Sequence, residues 1–414
     1  MELKTYLRDQ IDWEQPFPAE EYTERRAKVR AAMKKVGIDA LLICRSPDIN
    51  WLTGYEMIWN HLRNPTHLLI QADSDDTLFF DCAAHTSLIS LLPEIREAVI
   101  FDHGPMADPG DFDVIADNLA SRGLASGTVG VQYWGNGLDT AVVKALGEKL
   151  EAKGAKVVDA SLLVEEERVY KSPREIVVMR EAAVMADTAL EAVRAEMRPG
   201  MTETEIEAVL ISSLMNQGGN YPAIHTMVAS GVRSGTHHSA ATHRKVKDGD
   251  LVHFDFCASL HRYHVNLCRT LSVGKADDRW IELMEKSAGS IDAIVETVKL
   301  GDPLTAIDEV ANGYIDQVGL RPYVWWIGGY PLGISFPPDW TNAHWVHWNK
   351  EAFGPTPSKL EIKPGLVFNY ENQFDVWENW PGGTGCAFIE SFLVTEDRLE
   401  LMSKLPRTIR STDD

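Results

Sequence analysis

The sequence predicts two domains, an α/β unit over residues 1–165 and an α+β unit over residues 166–414. Three observations carry this reading. At 414 residues the chain is longer than one hydrophobic core usually supports. In the leading part, short apolar runs alternate with helical or loop stretches. At Lys171 the pattern changes to long helices followed by strand-rich blocks.

In the leading part, Tyr22, Val29, Met33 and Val36 fall on one face of a helix that stops at Gly37, and a strand from Ala40 to Cys44 follows at once. Further strands are expected at His67 to Ile70, Thr77 to Phe80, Thr128 to Val131 and Lys156 to Val158. In the trailing part, Ser172, Pro173 and Glu175 form a capping box with proline at the first helical position. Ile176, Met179, Ala183, Ala186, Leu190, Val193 and Met197 then recur at helical spacing until Pro199-Gly200. Thr202 with Glu205 opens a second helix that runs to Gly218-Gly219. A strand block to about Val273, helices over about Asp277 to Leu300 and Thr305 to Val318, and strands from Gly365 complete the chain.

The formal charge of -21, from 61 acidic and 40 basic residues, repels nucleic acid and anionic membranes and favours a cationic small molecule as partner. No run of 18 apolar residues occurs, and the first residues lack the apolar core of a signal peptide, so a cytoplasmic location is expected. Cys44, Cys82, Cys257, Cys268 and Cys386 contain no C-x-x-C pair, which argues for reduced, packed thiols rather than disulfides or a zinc site.

The chemistry concentrates in the second domain. Asp255, His264, Asn266 and Arg269 share one hairpin-sized stretch, and Tyr330, Glu371 and Glu390 follow in apolar surroundings. Acids inside apolar strands are costly unless paired, hydrogen-bonded or metal-bound, so they mark a candidate site. Trp325, Trp326, Trp340, Trp345, Trp348, Trp377 and Trp380 crowd the same third of the chain, and two or three of them are expected to touch a cationic substrate. Packing and a homodimer interface would account for the others. Arg233 and Arg244 are candidates to hold a substrate carboxylate, with a surface placement as the alternative.

On these residues the chain resembles the methionine aminopeptidase, prolidase and creatinase superfamily over essentially its whole length. The resemblance implies a creatinase-type N-terminal domain and a pita-bread catalytic domain. The family's peptidases bridge two metal ions with two aspartates, a histidine and two late glutamates. Asp255, Glu371 and Glu390 match three of those positions and Arg269-Thr270 matches a neighbouring R-T pair, but Asn266 replaces the second aspartate and Tyr330 the histidine. Loss of those two ligands implies an enzyme without cofactor or metal. A single weakly held Mg or Mn ion on Asp255, Glu371 and Glu390 is the residual metal reading.

The stretch from His238 to Asp250 resembles creatinase, in which a histidine at the His238 position is the acid/base. Proton transfer near neutrality also calls for such a group. His237, its neighbour, is expected at the surface or in a hydrogen bond. The runs Arg262-Tyr263-His264, Tyr221 to Ile224 and Gly329 to Trp340 resemble ectoine hydrolases, in which a glutamate at the Asp255 position attacks an amidine carbon. The resemblance implies Asp255 as nucleophile or cation clamp, His238 as proton shuttle, and Glu371 and Glu390 as further catalytic acids. Tyr330, His264, Asn266, Trp340 and Tyr221 would bind substrate. In the competing reading Glu371 and Glu390 are a relic pair sharing one proton or bonded to Arg269. The implied function is hydrolysis of a carbon-nitrogen bond in a small cationic zwitterion of the ectoine type. The alternatives are a creatinase-like guanidine hydrolase, a metal-dependent Xaa-Pro peptidase or lyase of the same fold, and a non-catalytic binding protein.

Overall fold

A computed structural model describes residues 15–58, 65–104, 106–134, 140–341, 343–347, 359–375 and 384–414. Its chain divides into two compact units, Met1–Arg168 with Phe336–Pro338, and Val169–Ser335 with Asp339–Asp414.

The first unit contains α1 (Ala19–Val36), β1 (Ala40–Ile43), α2 (Ser46–Thr53), β2 (His67–Gln71), β3 (Thr77–Cys82), α3 (Thr86–Leu91), β4 (Glu97–Phe101), α4 (Pro109–Ser121), β5 (Thr128–Val131), α5 (Thr140–Ala152), β6 (Lys156–Asp159) and α6 (Leu163–Arg168). The strands form one mixed sheet in the order β4-β3-β2-β1-β5-β6. Leu42, Leu69, Phe80, Val129 and Val131 from the strands pack with Ile115, Leu119, Leu146 and Leu150 from α4 and α5 to make its core. Helix α1 ends where Gly37 adopts φ 72°, a left-handed cap that favours glycine. Tyr22, Val29 and Met33 are buried as expected, but Val36 is 61% exposed because it is the last helical residue before the chain turns into β1.

The second unit contains α7 (Pro173–Glu196), α8 (Glu203–Asn216), β7 (Met227–Ser230), β8 (Leu251–Leu260), β9 (Tyr263–Ser272), α9 (Asp278–Thr297), α10 (Thr305–Gln317), β10 (Val324–Gly329), β11 (Val346–His347), β12 (Val367–Asp375), β13 (Gly385–Val394), β14 (Leu399–Leu401) and β15 (Arg410–Ser411). Both capping boxes are made: the Ser172 hydroxyl accepts from the Glu175 N–H, and the Thr202 hydroxyl from the Glu205 N–H. The sheet runs β11-β10-β12-β13-β9-β8-β7, with β14 beside β13 and β15 beside β9. Helix α7 packs against β8 and β9, and α9 against β13. Among the described residues no helix is long and apolar enough to cross a membrane.

Alternation along the strands assigns the two faces of this sheet. Phe368, Tyr370 and Phe374 of β12, with Cys386, Phe388, Phe392 and Val394 of β13, join the apolar cluster that includes α9 and α10. The intervening residues therefore point to the other face. The register places Asp255 opposite Cys268, Cys268 opposite Ile389, Ile389 opposite Glu371, and Glu371 opposite Gly328, a row across five strands on that second face.

The β8-β9 turn is made by His261 and Arg262, with φ of 48° and 67°, a conformation usually left to glycine or asparagine. Arg262 offsets the backbone cost. Its buried guanidinium donates to the Ser335 carbonyl at 2.8 Å and to the Tyr221 carbonyl at 2.6 Å, and it covers the Tyr221 ring at 4.4 Å.

Candidate active site

A cavity of about 840 Å³ opens in the second unit, lined by Asp255 of β8, Trp325 and Trp326 of β10, Glu371 of β12, and Tyr330, Asp339, Trp340 and Trp345 of the loop after β10. Its other wall carries residues 224–227, His238 and Ala240. The size suits a small molecule. Backbone fit seats Tyr330: a Cβ on Gly329 would lie 2.0 Å from the Asn369 carbonyl, so β10 can approach β12 this closely only as glycine.

At the floor, Asp255 and Glu371 are joined by a ladder of amides. The Asn369 side chain donates to Glu371 Oε1 and to Asn266 Oδ1, both at 2.9 Å, and Asn266 Nδ2 donates to Asp255 Oδ1 at 2.9 Å. Gln373 Nε2 donates to Glu371 Oε2 at 3.2 Å, and Tyr330 and Trp326 also hydrogen-bond Glu371. Trp340 Nε1 donates to the Tyr330 hydroxyl at 3.0 Å, so the phenol proton is directed at Glu371.

Burial lifts Asp255 to about 7 against the pull of Asn266, and burial together with the Asp255 charge lifts Glu371 to about 8. The pair titrates as a unit and keeps one proton near neutrality. Four donors converge on Glu371 and one on Asp255, so we place the anion on Glu371 when only one is charged. Burial and the two acids push the Tyr330 phenol well above its usual range, which keeps it protonated.

His238 stands exposed on the rim of the same cavity, and the wall around it desolvates the ring enough to hold the imidazole below its usual pKa. It makes no hydrogen bond with either acid. Its ring meets Trp325 edge-on at 5.1 Å. His237, expected at the surface or in a hydrogen bond, is buried behind the wall, 4.9 Å from both His253 and Trp325.

The structure thus brings Asp255, His238, Glu371, Tyr330 and Trp340 onto one cavity and sends four expected site residues elsewhere. Glu390 lies on the helix-facing side of the sheet, where it pairs with Arg269. The β13 residue in the site row is Ile389. Asn266 lies beneath the floor and acts through Asp255. His264 is buried away from the cavity: its Nδ1 donates to the Arg262 carbonyl at 2.8 Å and its Nε2 accepts from the Ala223 N–H at 2.9 Å. Tyr221 is not part of the cavity wall and carries the Arg262 guanidinium on its ring. Arg233 is held by Glu203, and Arg244 by Asp250 and Ser230 at 2.7 Å each, so neither reaches the cavity.

Four tryptophans line the cavity where two or three were expected to touch substrate; Trp348, Trp377 and Trp380 lie outside the described residues. Asn369 and Asp339 were missed. A polar residue at every second position of Asn369–Asp375 was the signal for Asn369, and Asp339 lay inside the Gly329 to Trp340 run, which was singled out as a stretch without giving Asp339 a role.

Residues 177–396 match the profile of metallopeptidase family M24, and residues 25–170 that of the creatinase/prolidase N-terminal domain. The chain is 27% identical to the ectoine hydrolase of Halomonas elongata over 95% of this chain and 98% of that one. It is 25% identical to a Xaa-Pro dipeptidase of Pyrococcus horikoshii over 75% of this chain and 82% of that one. Among solved structures, a prolidase from Thermococcus sibiricus superposes with TM-score 0.80 at 19% identity, covering 95% of this chain and all of the other. A Xaa-Pro dipeptidase from Bacillus anthracis gives 0.75 at 22% identity, covering 94% and 99%. At these identities the structural likeness establishes the pita-bread fold with its creatinase-type N-terminal domain, and no more.

The metal centre that a metallopeptidase implies needs several converging charged or imidazole donors. The cavity floor offers two carboxylates, both with raised pKa, while the neighbouring positions hold an amide, a phenol and the apolar Ile389. Asn266 turns N–H rather than oxygen toward Asp255. Among the described residues the one trio of converging donors is Asp81, Cys82 and His85 in the first unit, where Asp81 already accepts from His85 at 2.8 Å. The floor residues do not fit a dinuclear centre.

Proposed function

Because the chain belongs to metallopeptidase family M24, a hydrolase family, we propose that it opens a carbon-nitrogen bond in a small delocalised cation without a metal ion, acting on a cyclic amidine of the ectoine type. One observation carries this reading: two desolvated carboxylates, tied together by amides, form the floor of a cavity walled by four tryptophans and a tyrosine. Aromatic faces and buried acids both favour an amidinium or guanidinium.

Asp255, with a single donor on it, is the freer nucleophile, and Glu371, held by four, is the fixed counter-charge. In the proposed sequence the amidinium binds beside the Glu371 anion, the proton held by Asp255 passes to His238, and the Asp255 carboxylate so formed adds to the amidinium carbon. One carbon-nitrogen bond breaks as the departing nitrogen takes a proton through His238. Water then replaces the carboxylate on that carbon, so the net change is addition of one water. His238 suits both transfers because its lowered pKa leaves it neutral and able to accept first.

The similarity to an ectoine hydrolase over nearly the full chain supports the amidine. Retention of Glu371 and the creatinase-like stretch after His238 favour a guanidine as the second reading. The test is to incubate purified protein with ectoine, creatine and a Xaa-Pro dipeptide and follow mass and urea. Ring opening of ectoine by one water is expected. Cleavage of creatine or the dipeptide with no action on any cyclic amidine would overturn the substrate reading.

A further inference from the structure

We infer that, within the amidine and guanidine class, this cavity selects molecules that are net cations over zwitterions that carry a carboxylate. The inference rests on the functional reading above and narrows its substrate. The described residues lining the cavity include three carboxylates, Asp255, Asp339 and Glu371, and no lysine or arginine. Asp339 is fixed in place, its oxygens accepting from the Thr341 N–H at 2.8 Å and the Thr341 hydroxyl at 2.6 Å.

Among the described residues each nearby arginine is engaged elsewhere. Arg233 spans Glu203 and the Ala240 carbonyl, the latter at 3.1 Å, and Arg244 binds Asp250 and Ser230. Arg262 is committed to the Ser335 and Tyr221 carbonyls, and Arg269 to Glu390 on the other side of the sheet. Two histidines remain on the wall. His225 pairs with Glu207 at 3.0 Å, and desolvation disfavours a charge on His238. With one proton on the Asp255-Glu371 pair, the cavity is still anionic. A cation meets aromatic faces and counter-charge, whereas a substrate carboxylate meets like charge with no cationic partner among the described residues. The formal charge of -21 for the chain adds attraction of the same sign at longer range.

The test compares two rings that differ only in the carboxylate group: ectoine, and the same methylated tetrahydropyrimidine without it. With the full-length protein, kcat/KM is read from the mass of the ring-opened product of each. The ring without the carboxylate should be preferred by on the order of tenfold or more. The Asp339→Asn variant should narrow that ratio severalfold, whereas a purely structural effect would lower both values together and leave it unchanged. Turnover with a preference for ectoine would overturn this inference and leave the amidine reading standing. Failure to bind or open either ring, alongside cleavage of a proline dipeptide, would overturn the reading itself and this inference with it.

Discussion

Replacing Glu390 by glutamine tests which side of the sheet that acid serves. In the structure Glu390 accepts from Arg269 with both side chains at most 2% exposed, and Arg269 also donates to the carbonyls of Cys268, Ile389, Leu405 and Pro406 at 2.8–3.1 Å. The pair therefore pins the segment after β14 against β9 and β13. Glutamine keeps the shape and one acceptor but leaves the guanidinium uncompensated. Because four carbonyls remain to solvate Arg269, the loss should fall at the low end for a broken buried pair, ~3 kcal/mol. The urea unfolding midpoint should drop accordingly, while kcat of the folded variant stays within about threefold of the parent, under ~0.7 kcal/mol in the barrier. The matching change Glu371→Gln should do the reverse, sparing the fold and removing turnover. An unshifted midpoint for Glu390→Gln together with a large loss of kcat would refute the assignment of Glu390 to the helix side.

Asp255→Asn should abolish turnover with native circular dichroism, since an amide is a poor nucleophile and carries no charge. His238→Ala should lower kcat by roughly two to four orders of magnitude, and near-normal rates for either variant would refute the roles given. Turnover should survive prolonged chelation; loss on chelation with recovery on adding Mn, Fe, Co or Zn would refute metal independence. Asp255 and Glu371 are raised from 3.8 and 4.5 to about 7 and about 8, so between those limits the folded chain holds more protons than the unfolded one. Stability should therefore fall as pH rises through that window, and Glu371→Gln should flatten the slope in urea titrations at several pH values.

What was legible in the sequence was what is locally encoded. Capping boxes at Ser172 and Thr202 fix helix starts through contacts three residues apart, and both helices begin there. Strand β4 and helix α2 were not singled out. β4 is short, with the central residues Val99 and Ile100 only half-buried, and α2 has eight residues, too few for a periodic stripe to show. In the site, Asp255 and Glu371 stood out because a carboxylate in an apolar strand is costly and needs a reason. Asn369 carries no charge and gave no such signal, although it is the residue that ties the two acids together. Arg233 and Arg244 stayed open between a substrate contact and a surface place because an arginine's partner depends on tertiary packing that sequence position does not specify.

Glu390 shows where the same sequence logic runs out. Its motif resemblance placed it with the site acids, but a strand has a period of two, and a shift of one residue moves a side chain to the opposite face. Cys386, Phe388, Phe392 and Val394 are the core residues of β13, and all share the parity of Glu390. Ile389 and Ala387 share the other parity and meet Cys268, directly across from Asp255. The core cluster along Gly385–Val394 therefore puts Glu390 on the helix side, an assignment that the strand's apolar residues on both parities left open in the sequence, and a buried acid there needs a buried counter-charge. Arg269 is that charge, and its parity in β9 is likewise opposite to that of Cys268 and Asn266. Of the two late acids, only Glu371 is left facing Asp255, which makes the floor a carboxylate pair rather than a ligand set and favours chemistry by nucleophile and counter-charge over chemistry by a bound ion.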